Sequence, residues 1–461
     1  MFETQSPSPW RLELGAMLRL SAPLAAANLL QMMVHTIDVI FVARLGEVPL
    51  AASSLSISIF GLLMWCFSGL TGAVAPLIAA ELGRRKRAVR EVRRSVRMAL
   101  WLAVLCGLMG MIVSSFGEEI MLASGQDPVV ALAAGGFLGI LLWAMIPMII
   151  ASVLRTFVAA LGRPVFATAI TALAIFVNAL GNYAFVFGNL GAPAMGLEGS
   201  ALSSVLTSVA MVAAYVVAIA ADRRLQRYHI FGRWWRAEWS RLAEILKIGT
   251  PIAFTILAEA GLFSGAAFLM GWIGPAELAG HTVALQVAAL AFQVPFGIGQ
   301  AATIRVGYHF GAGDRAGIGR AGWSALALSV GFMVVTASAM LLMPHTILSL
   351  YVDPSAAANS AMVGFAVQYM IVAAAFQLFD GAQAVAAGAL RGLQDTQVPM
   401  AIAIFGYWLP GMGTAMWLGF RTPLEGTGVW IGLAVGLVVV AGLLLWRWRA
   451  RERLGLLPAQ S

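Results

Sequence analysis

Long apolar runs alternate with short polar breaks along the whole chain. Windows of about 20 apolar residues, enough for a helix to cross a bilayer, fall near 18–43, 51–80, 96–116, 130–153, 164–188, 197–221, 247–271, 279–307, 320–345, 361–389, 397–419 and 427–446. Polar residues inside these runs are sparse and patterned. In the first run Asn28, Gln31, His35 and Asp38 follow one another at spacings of three and four, which puts them on one helical face. The pattern predicts an all-α polytopic membrane protein with twelve transmembrane helices. An acid at bilayer depth is costly and is a functional candidate by default. A satisfied structural polar group is the plainer alternative.

The pattern repeats. Shifted by 228 residues, the chain overlays on itself without a gap for over sixty positions: Pro23 on Pro251, Ala25 on Ala253, Leu29 on Leu257, Gly46 on Gly274, Gly69 on Gly297 and Gly83 on Gly311. Each half then holds six helices in the same orientation, a parallel repeat about an axis along the membrane normal. The expected domains are a six-helix bundle over 1–222, a linker over 223–243 and a second six-helix bundle over 244–461. The frame is duplicated and the acids are not, because Glu259 overlays on Gln31 and Asp38 overlays on Ala266. The two halves are expected to do different chemistry.

Helical rise turns position into depth. Asp38 lies 19 residues after Arg19, and Asn182 lies 19 after Arg163, so both sit about 28 Å along their helices at 1.5 Å per residue. Asn178 is one turn from Asn182, so Asp38, Asn178 and Asn182 are expected to meet inside the first bundle. A carboxylate beside two amides suits a proton or a small hard cation. Glu259 lies 12 residues after Lys247 and Asp380 lies 11 before Arg391, which puts both near mid-bilayer. Two carboxylates at one depth in one bundle are candidates to share a proton or to hold Na+. Gln286, Gln293 and Gln300 form a seven-residue stripe better read as helix–helix hydrogen bonding than as substrate contact. Gln377 and Gln383 flank Asp380 at three residues on either side. Met and Phe are expected mostly to pack, with some lining an adaptable apolar cavity.

Composition fits lipid as the solvent. The chain of 461 residues is 60% hydrophobic and 11% charged, with a mean hydropathy of +0.87. Its net charge of +8 is a topology signal. With a cytoplasmic N-terminus, every Lys and Arg except Arg44 and Arg421 falls on the cytoplasmic side. Both termini are therefore expected there. The densest cluster, Arg84-Arg85-Lys86-Arg87 with Arg90, Arg93, Arg94 and Arg97, joins the second and third helices. The segment Arg233-Trp234-Trp235-Arg236-Ala237-Glu238-Trp239 reads as a short amphipathic helix in the headgroup region rather than as a nucleic-acid platform. The opening MFETQSPSPW is too polar for a cleavable signal peptide. Cys66 and Cys106 sit in apolar runs, and neither they nor the five scattered histidines suggest a metal centre.

Four stretches carry a family resemblance: AAANLLQMMVHTIDVIFVARLG around Asp38, IAFTILAEAGLFSGAAFLMGWIG around Glu259, FDGAQAVAAGALRGLQDTQVP around Asp380, and FVNALGNYAFVFGNLGAPAMGLEGSA with Asn178 and Asn182. Together they resemble the multidrug and toxic compound extrusion (MATE) family in its NorM-type branch. The resemblance implies a V-shaped pair of bundles that exports organic cations and drugs in exchange for H+ or Na+, with no other cofactor. It implies coupling acids at Asp38, Glu259 and Asp380, with Asn178, Asn182, Gln31, His35, Gln286 and Gln383 as supporting polar groups. NorM-type sodium sites often place a tyrosine four residues before the helix-ten acid. That position is Phe376 here, which tilts the expectation slightly toward protons. A monomer in a bacterial-type inner membrane is expected.

Three rivals remain in view. A major-facilitator exporter has the same helix count, but Glu81-Leu82-Gly83-Arg84-Arg85-Lys86 only partly imitates that class's loop motif. A lipid-linked-sugar flippase would want cationic residues facing its cavity, whereas nearly all arginines here fall in loops. A polytopic membrane enzyme would cluster polar groups at one membrane face, and no phosphate-binding loop, nucleophile elbow or redox motif is present.

Overall fold

The structure is a computed structural model and describes residues 8–459. The polar segment 1–7, and with it the expectation about a signal peptide and the sidedness of the first residues, lies outside the described residues. Among the described residues, twelve helices are long and apolar enough to cross a membrane: α1 (Pro9–Ala43), α2 (Glu47–Arg84), α3 (Ala88–Ser115), α4 (Pro128–Ala160), α5 (Val165–Phe187), α6 (Leu197–Ala221), α7 (Trp239–Ile273), α8 (Pro275–Ala312), α9 (Arg315–Leu342), α10 (Ala357–Gly392), α11 (Gln397–Arg421) and α12 (Gly426–Arg449). Among the described residues there is no strand, as expected where lipid can satisfy no backbone group. Several helices run past the apolar windows into charged sequence, where capping sets their ends. Asp127 accepts the Val129 N–H at 2.8 Å ahead of Pro128, and Asp314 accepts the Gly317 N–H at 2.8 Å. Phe176, Val217, Phe268 and Val335, each at least 66% exposed, present apolar surface that only lipid can cover.

The sequence repeat is visible in helix lengths. The repeat mates α1 and α7 are both 35 residues long, and α2 and α8 are both 38. Each of the first pair carries one internal proline, Pro23 and Pro251. The chain forms two compact units, Ala26–Ala253 and Met1–Ala25 with Phe254–Ser461. Their boundaries fall two residues after those prolines rather than in the loop between α6 and α7. About the first half of α1 thus belongs with the later helices, and about the first two fifths of α7 belongs with the earlier ones.

Both crossing segments are fixed in the same two ways. Small residues let backbones touch. A Cβ on Gly249 of α7 would lie 2.2 Å from the Leu70 carbonyl oxygen, and one on Gly297 of α8 would lie 2.7 Å from the Ala25 nitrogen. Ion pairs then clamp the ends. Arg241 of α7 pairs with Glu91 at 2.5 Å and with Glu81 at 3.4 Å. Glu13 of α1 accepts from Arg305 at 2.7 Å and lies 3.0 Å from His309. Glu13 and Arg241 are repeat mates, as are His309 and Glu81. The same contact recurs with its charges reversed.

The short interfacial helix expected over 233–239 is not formed. Turns occupy 231–235, residues 236–238 are irregular, and α7 starts at Trp239. Arg233 adopts a left-handed φ of 53°, which a helix does not accept. The carbonyls a helix would use go elsewhere: Arg97 donates to the Arg233 oxygen and Trp101 to the Trp234 oxygen, each at 3.0 Å. Arg94 and Arg97 also hold Glu238. Side-chain pairing to α3 outweighs the local helical pattern.

Because the Gly297 Cβ position meets backbone, Gly297→Val forces α1 and α8 apart. It is expected to cost about 2 kcal/mol and to lower the thermal unfolding midpoint in detergent. Gly331→Ala, at a site with nothing within 4 Å, should leave that midpoint within error.

Candidate functional site

The polar face of α1 delivers Asp38 to a pocket formed with α5 and α6. Asp38 is 8% exposed, and Asn178 and Asn182 are fully buried. Asn178 Nδ2 donates to Asp38 Oδ1 at 3.0 Å, and Asn182 Nδ2 donates to the same oxygen at 2.8 Å. Ser204 Oγ donates to Oδ2 at 3.2 Å. The i, i+4 spacing of the two asparagines on α5 aims both amides at one point. Ser203 locks that face by donating to the Asn178 carbonyl at 2.9 Å. Asp38 forms no salt bridge among the described residues, so its partners are neutral donors.

The second site lies in the other unit. Asp380 of α10 is 8% exposed and Glu259 of α7 is half-buried. The two carboxyl groups are within electrostatic reach of each other, and Glu259 also senses Arg391. Asp380 Oδ1 and Gln383 Oε1 are buried with no hydrogen-bond partner. Gln383 donates through Nε2 to the Tyr407 hydroxyl, and Tyr407 lies within electrostatic reach of both acids. Tyr407 opens a π-helical turn, Tyr407–Gly411, that contains Pro410. Such a widened turn re-aims side chains and recurs at functional sites. One turn before Asp380 on α10, Gln377 accepts from Thr336 Oγ1 at 3.1 Å.

Phe376 has a packing reason. Its ring stacks on Trp430 at 5.6 Å, Trp430 stacks on Tyr369 at 5.8 Å, and His281 meets Trp430 edge-on at 5.4 Å. The aromatic column occupies the position from which a tyrosine hydroxyl would otherwise be offered, and the hydroxyl beside these acids comes from α11 instead.

The structure therefore brings Asp38, Asn178 and Asn182 together, and separately Glu259, Asp380 and Gln383. Other expected supporting groups stand apart. His35 is exposed one turn from Asp38 and is within electrostatic reach of it. Gln31 is half-buried, and Gln286 is exposed. Gln293 donates to the Ala289 carbonyl of its own helix at 3.2 Å.

A family model described as MatE matches residues 23–184 and 251–417, and the two segments begin at the repeat mates Pro23 and Pro251. The chain belongs to this family. It is 44% identical over 445 residues to a probable multidrug resistance protein NorM of Mesorhizobium japonicum, covering 96% of this chain and 95% of that protein. A protein of the same name from Brucella suis is 42% identical over 440 residues, covering 95% and 93%. The crystal structure of the eukaryotic MATE transporter AtDTX14 superposes with a TM-score of 0.86 at 20% identity, over 98% of this chain and 100% of that one. At that identity the likeness is one of fold. As a MatE protein the chain is a multi-pass membrane transporter and not an enzyme.

Sequence reasoning missed several members of the MatE chain's two sites. Ser203 and Ser204 were legible in principle, because Ser200, Ser203, Ser204, Thr207 and Ser208 mark one side of α6. Tyr407 and Thr336 carried no local signal; only tertiary packing brings them to α10.

Removing one donor leaves the others to solvate a buried carboxylate. Asn182→Ala is expected to cost about 1–3 kcal/mol and to lower the detergent unfolding midpoint. Pairing it with Asp38→Asn should return part of that loss, read as a double-mutant cycle.

Proposed function

We propose that this MatE chain is a secondary multidrug efflux antiporter, exporting organic cations in exchange for protons bound at Asp38. The observation that carries the reading is a buried carboxylate held by three neutral donors, with no salt bridge among the described residues and only the exposed His35 imidazole in electrostatic reach. A permanent counter-charge would keep the acid ionised and unavailable for exchange, whereas neutral donors leave it free to bind and release a cation. The geometry favours a proton at this site. Both asparagine amides point N–H groups at Oδ1, so that oxygen is committed as an acceptor. Among the described residues Ser204 donates to Oδ2, and its hydroxyl turns from donor to acceptor when a proton arrives.

Drug and coupling ion then compete. An ion entering from outside neutralises the acids, lowers affinity for a cationic drug and favours the outward-releasing state. The moving bodies in this reading are the six-helix bundles over 1–222 and 244–461, joined by 223–243. The arginine-rich loops and both termini lie on the cytoplasmic side of a bacterial inner membrane, and the protein works as a monomer. The names of the NorM relatives, multidrug resistance proteins, support the substrate class.

A second reading concerns Na+. Asp380 Oδ1 and Gln383 Oε1 are orphaned oxygens beside the Tyr407 hydroxyl and Glu259, a set of hard ligands such as Na+ takes. Sodium coupling through this site survives the loss of a tyrosine at 376 because α11 supplies another.

Ethidium efflux from proteoliposomes, with a proton gradient and a sodium gradient imposed separately, tests both readings. The proton gradient alone is expected to drive efflux, and Asp38→Asn should lower the rate at least tenfold while leaving membrane insertion intact. Efflux driven only by sodium, with Asp38→Asn active at the wild-type rate, would overturn the proton assignment. Where sodium does contribute, Tyr407→Phe should raise the half-saturating Na+ concentration severalfold and leave proton-driven efflux unchanged.

A further inference from the structure

Seven buried polar atoms with no hydrogen-bond partner among the described residues gather along α10, all inside the unit of Met1–Ala25 and Phe254–Ser461. They are both ring nitrogens of His281, the Tyr369 hydroxyl, the Trp430 indole nitrogen, Gln377 Nε2, Asp380 Oδ1 and Gln383 Oε1. None of these six residues is more than 8% exposed. Leaving such a group unpaired in the interior is costly. One orphan is ordinary, whereas seven in one place call for a shared partner.

Their placement is a line rather than a patch. Tyr369, Phe376, Asp380 and Gln383 follow one another at spacings of seven, four and three, on one face of α10. Trp430 of α12 stacks on both Tyr369 and Phe376, and His281 of α8 meets the same indole edge-on. Glu277, half-buried, stands one turn before His281 near the start of α8. It and Glu425, the residue before α12, lie within electrostatic reach of Tyr369. The line therefore begins near the ends at which α8 and α12 start and finishes at Asp380, where Gln383 donates to Tyr407. Tyr369 and Asp380 are 11 residues apart, about 16 Å of helix. Small residues flank the line: Ala373 lies between Tyr369 and Phe376, and a Cβ on Gly426 would collide with the Tyr369 hydroxyl.

We propose that α8, α10 and α12 enclose a file of ordered water along which protons reach Asp380, with His281 as the relay nearest its mouth. Water is the partner that fits, because the orphaned set mixes donors with acceptors. Trp430 and Gln377 offer N–H groups, Asp380 Oδ1 and Gln383 Oε1 accept, and the histidine and tyrosine do either. A metal ion would reject the N–H groups and an anion would reject the oxygens. Buried water makes about three hydrogen bonds to such groups. Imidazole takes a proton at one nitrogen and releases one from the other, which an apolar ring cannot do. Protons pass through hydrogen-bonded groups without the water molecules travelling, so a narrow file is enough. The inference rests on Asp380 exchanging its cation with the medium, as proposed above, and adds the route.

X-ray radical footprinting of the full-length protein in detergent tests the water, because radicals made from bound water label the side chains beside it. No gradient or drug is present, so the result is independent of antiport. After correction for intrinsic reactivity, Tyr369 and Trp430 should label at least tenfold faster than Phe157, which is equally buried. Rates equal to that of Phe157 overturn the file. Time-resolved infrared spectroscopy then follows the Asp380 carboxyl band, identified by its loss in Asp380→Asn, after transfer to heavy water. His281→Phe keeps a ring against Trp430 and should slow the deuterium shift of that band at least tenfold. His281→Gln, which keeps polar atoms at the site, should slow it less than threefold. Equal exchange in wild type and His281→Phe overturns the relay. No such band at mildly acid pH would overturn proton exchange at Asp380 itself, and with it the route.

Discussion

A carboxylate inside a lipid-solvated bundle must be neutralised or hydrogen-bonded, and most of what distinguishes this chain follows from how it meets that demand. Asp38 is met by α5 and α6, which bring Asn178, Asn182 and Ser204 to its two oxygens. Ser203 braces the arrangement from behind. Asp380 is met differently, with one oxygen left unpartnered beside Gln383, Tyr407 and a second acid. Neither acid forms a salt bridge among the described residues. In a structural ion pair the charge would be fixed, and among the described residues neither carboxylate is held in one. Asp38 is met mainly by donors, with Asn182 Oδ1 the unpartnered oxygen beside it, whereas Asp380 keeps an unpartnered oxygen of its own next to that of Gln383.

The duplicated frame sets where these acids stand. Two helices of equal length, each with a proline one residue pair before the unit boundary, begin in one compact unit and end in the other. Each crossing is held by backbone contact at a glycine and by an ion pair near the helix start. The pairing of Glu13 with His309 and of Arg241 with Glu81 keeps the contact while reversing its sign. Duplication preserved a geometric requirement and left charge free to change as long as both partners changed. The acids obey the opposite rule: Glu259 faces Gln31 across the repeat and Asp38 faces Ala266, so contact and chemistry both diverged.

Much of this was legible in the sequence, for reasons particular to membranes. Lipid makes apolar run length a direct readout of helix count, and helical rise converts position into depth. Asp38, Asn178 and Asn182 could therefore be placed together before their helices were seen to pack. The same arithmetic put Glu259 and Asp380 at one level. Contacts that depend on which face meets which helix were not legible. Thr336, Tyr407 and the Trp430 column reach α10 through packing alone. The 233–239 segment failed in the same way, because its amphipathic pattern was local while Arg97, Trp101 and Glu238 set its conformation from a distance. Solvated stretches follow their partners, and lipid-facing ones follow their composition.

The central claim is that drug and coupling ion compete for these acids, and it is tested most directly by counting ions released on drug binding. Tetraphenylphosphonium would be titrated into weakly buffered detergent-solubilised protein, with proton release and displacement of radioactive sodium followed together. The account predicts close to one cation released per drug bound, chiefly a proton, with the signal reduced in Asp38→Asn and abolished when Glu259→Gln and Asp380→Asn are added. Saturable drug binding by the wild-type protein with neither ion released would contradict it.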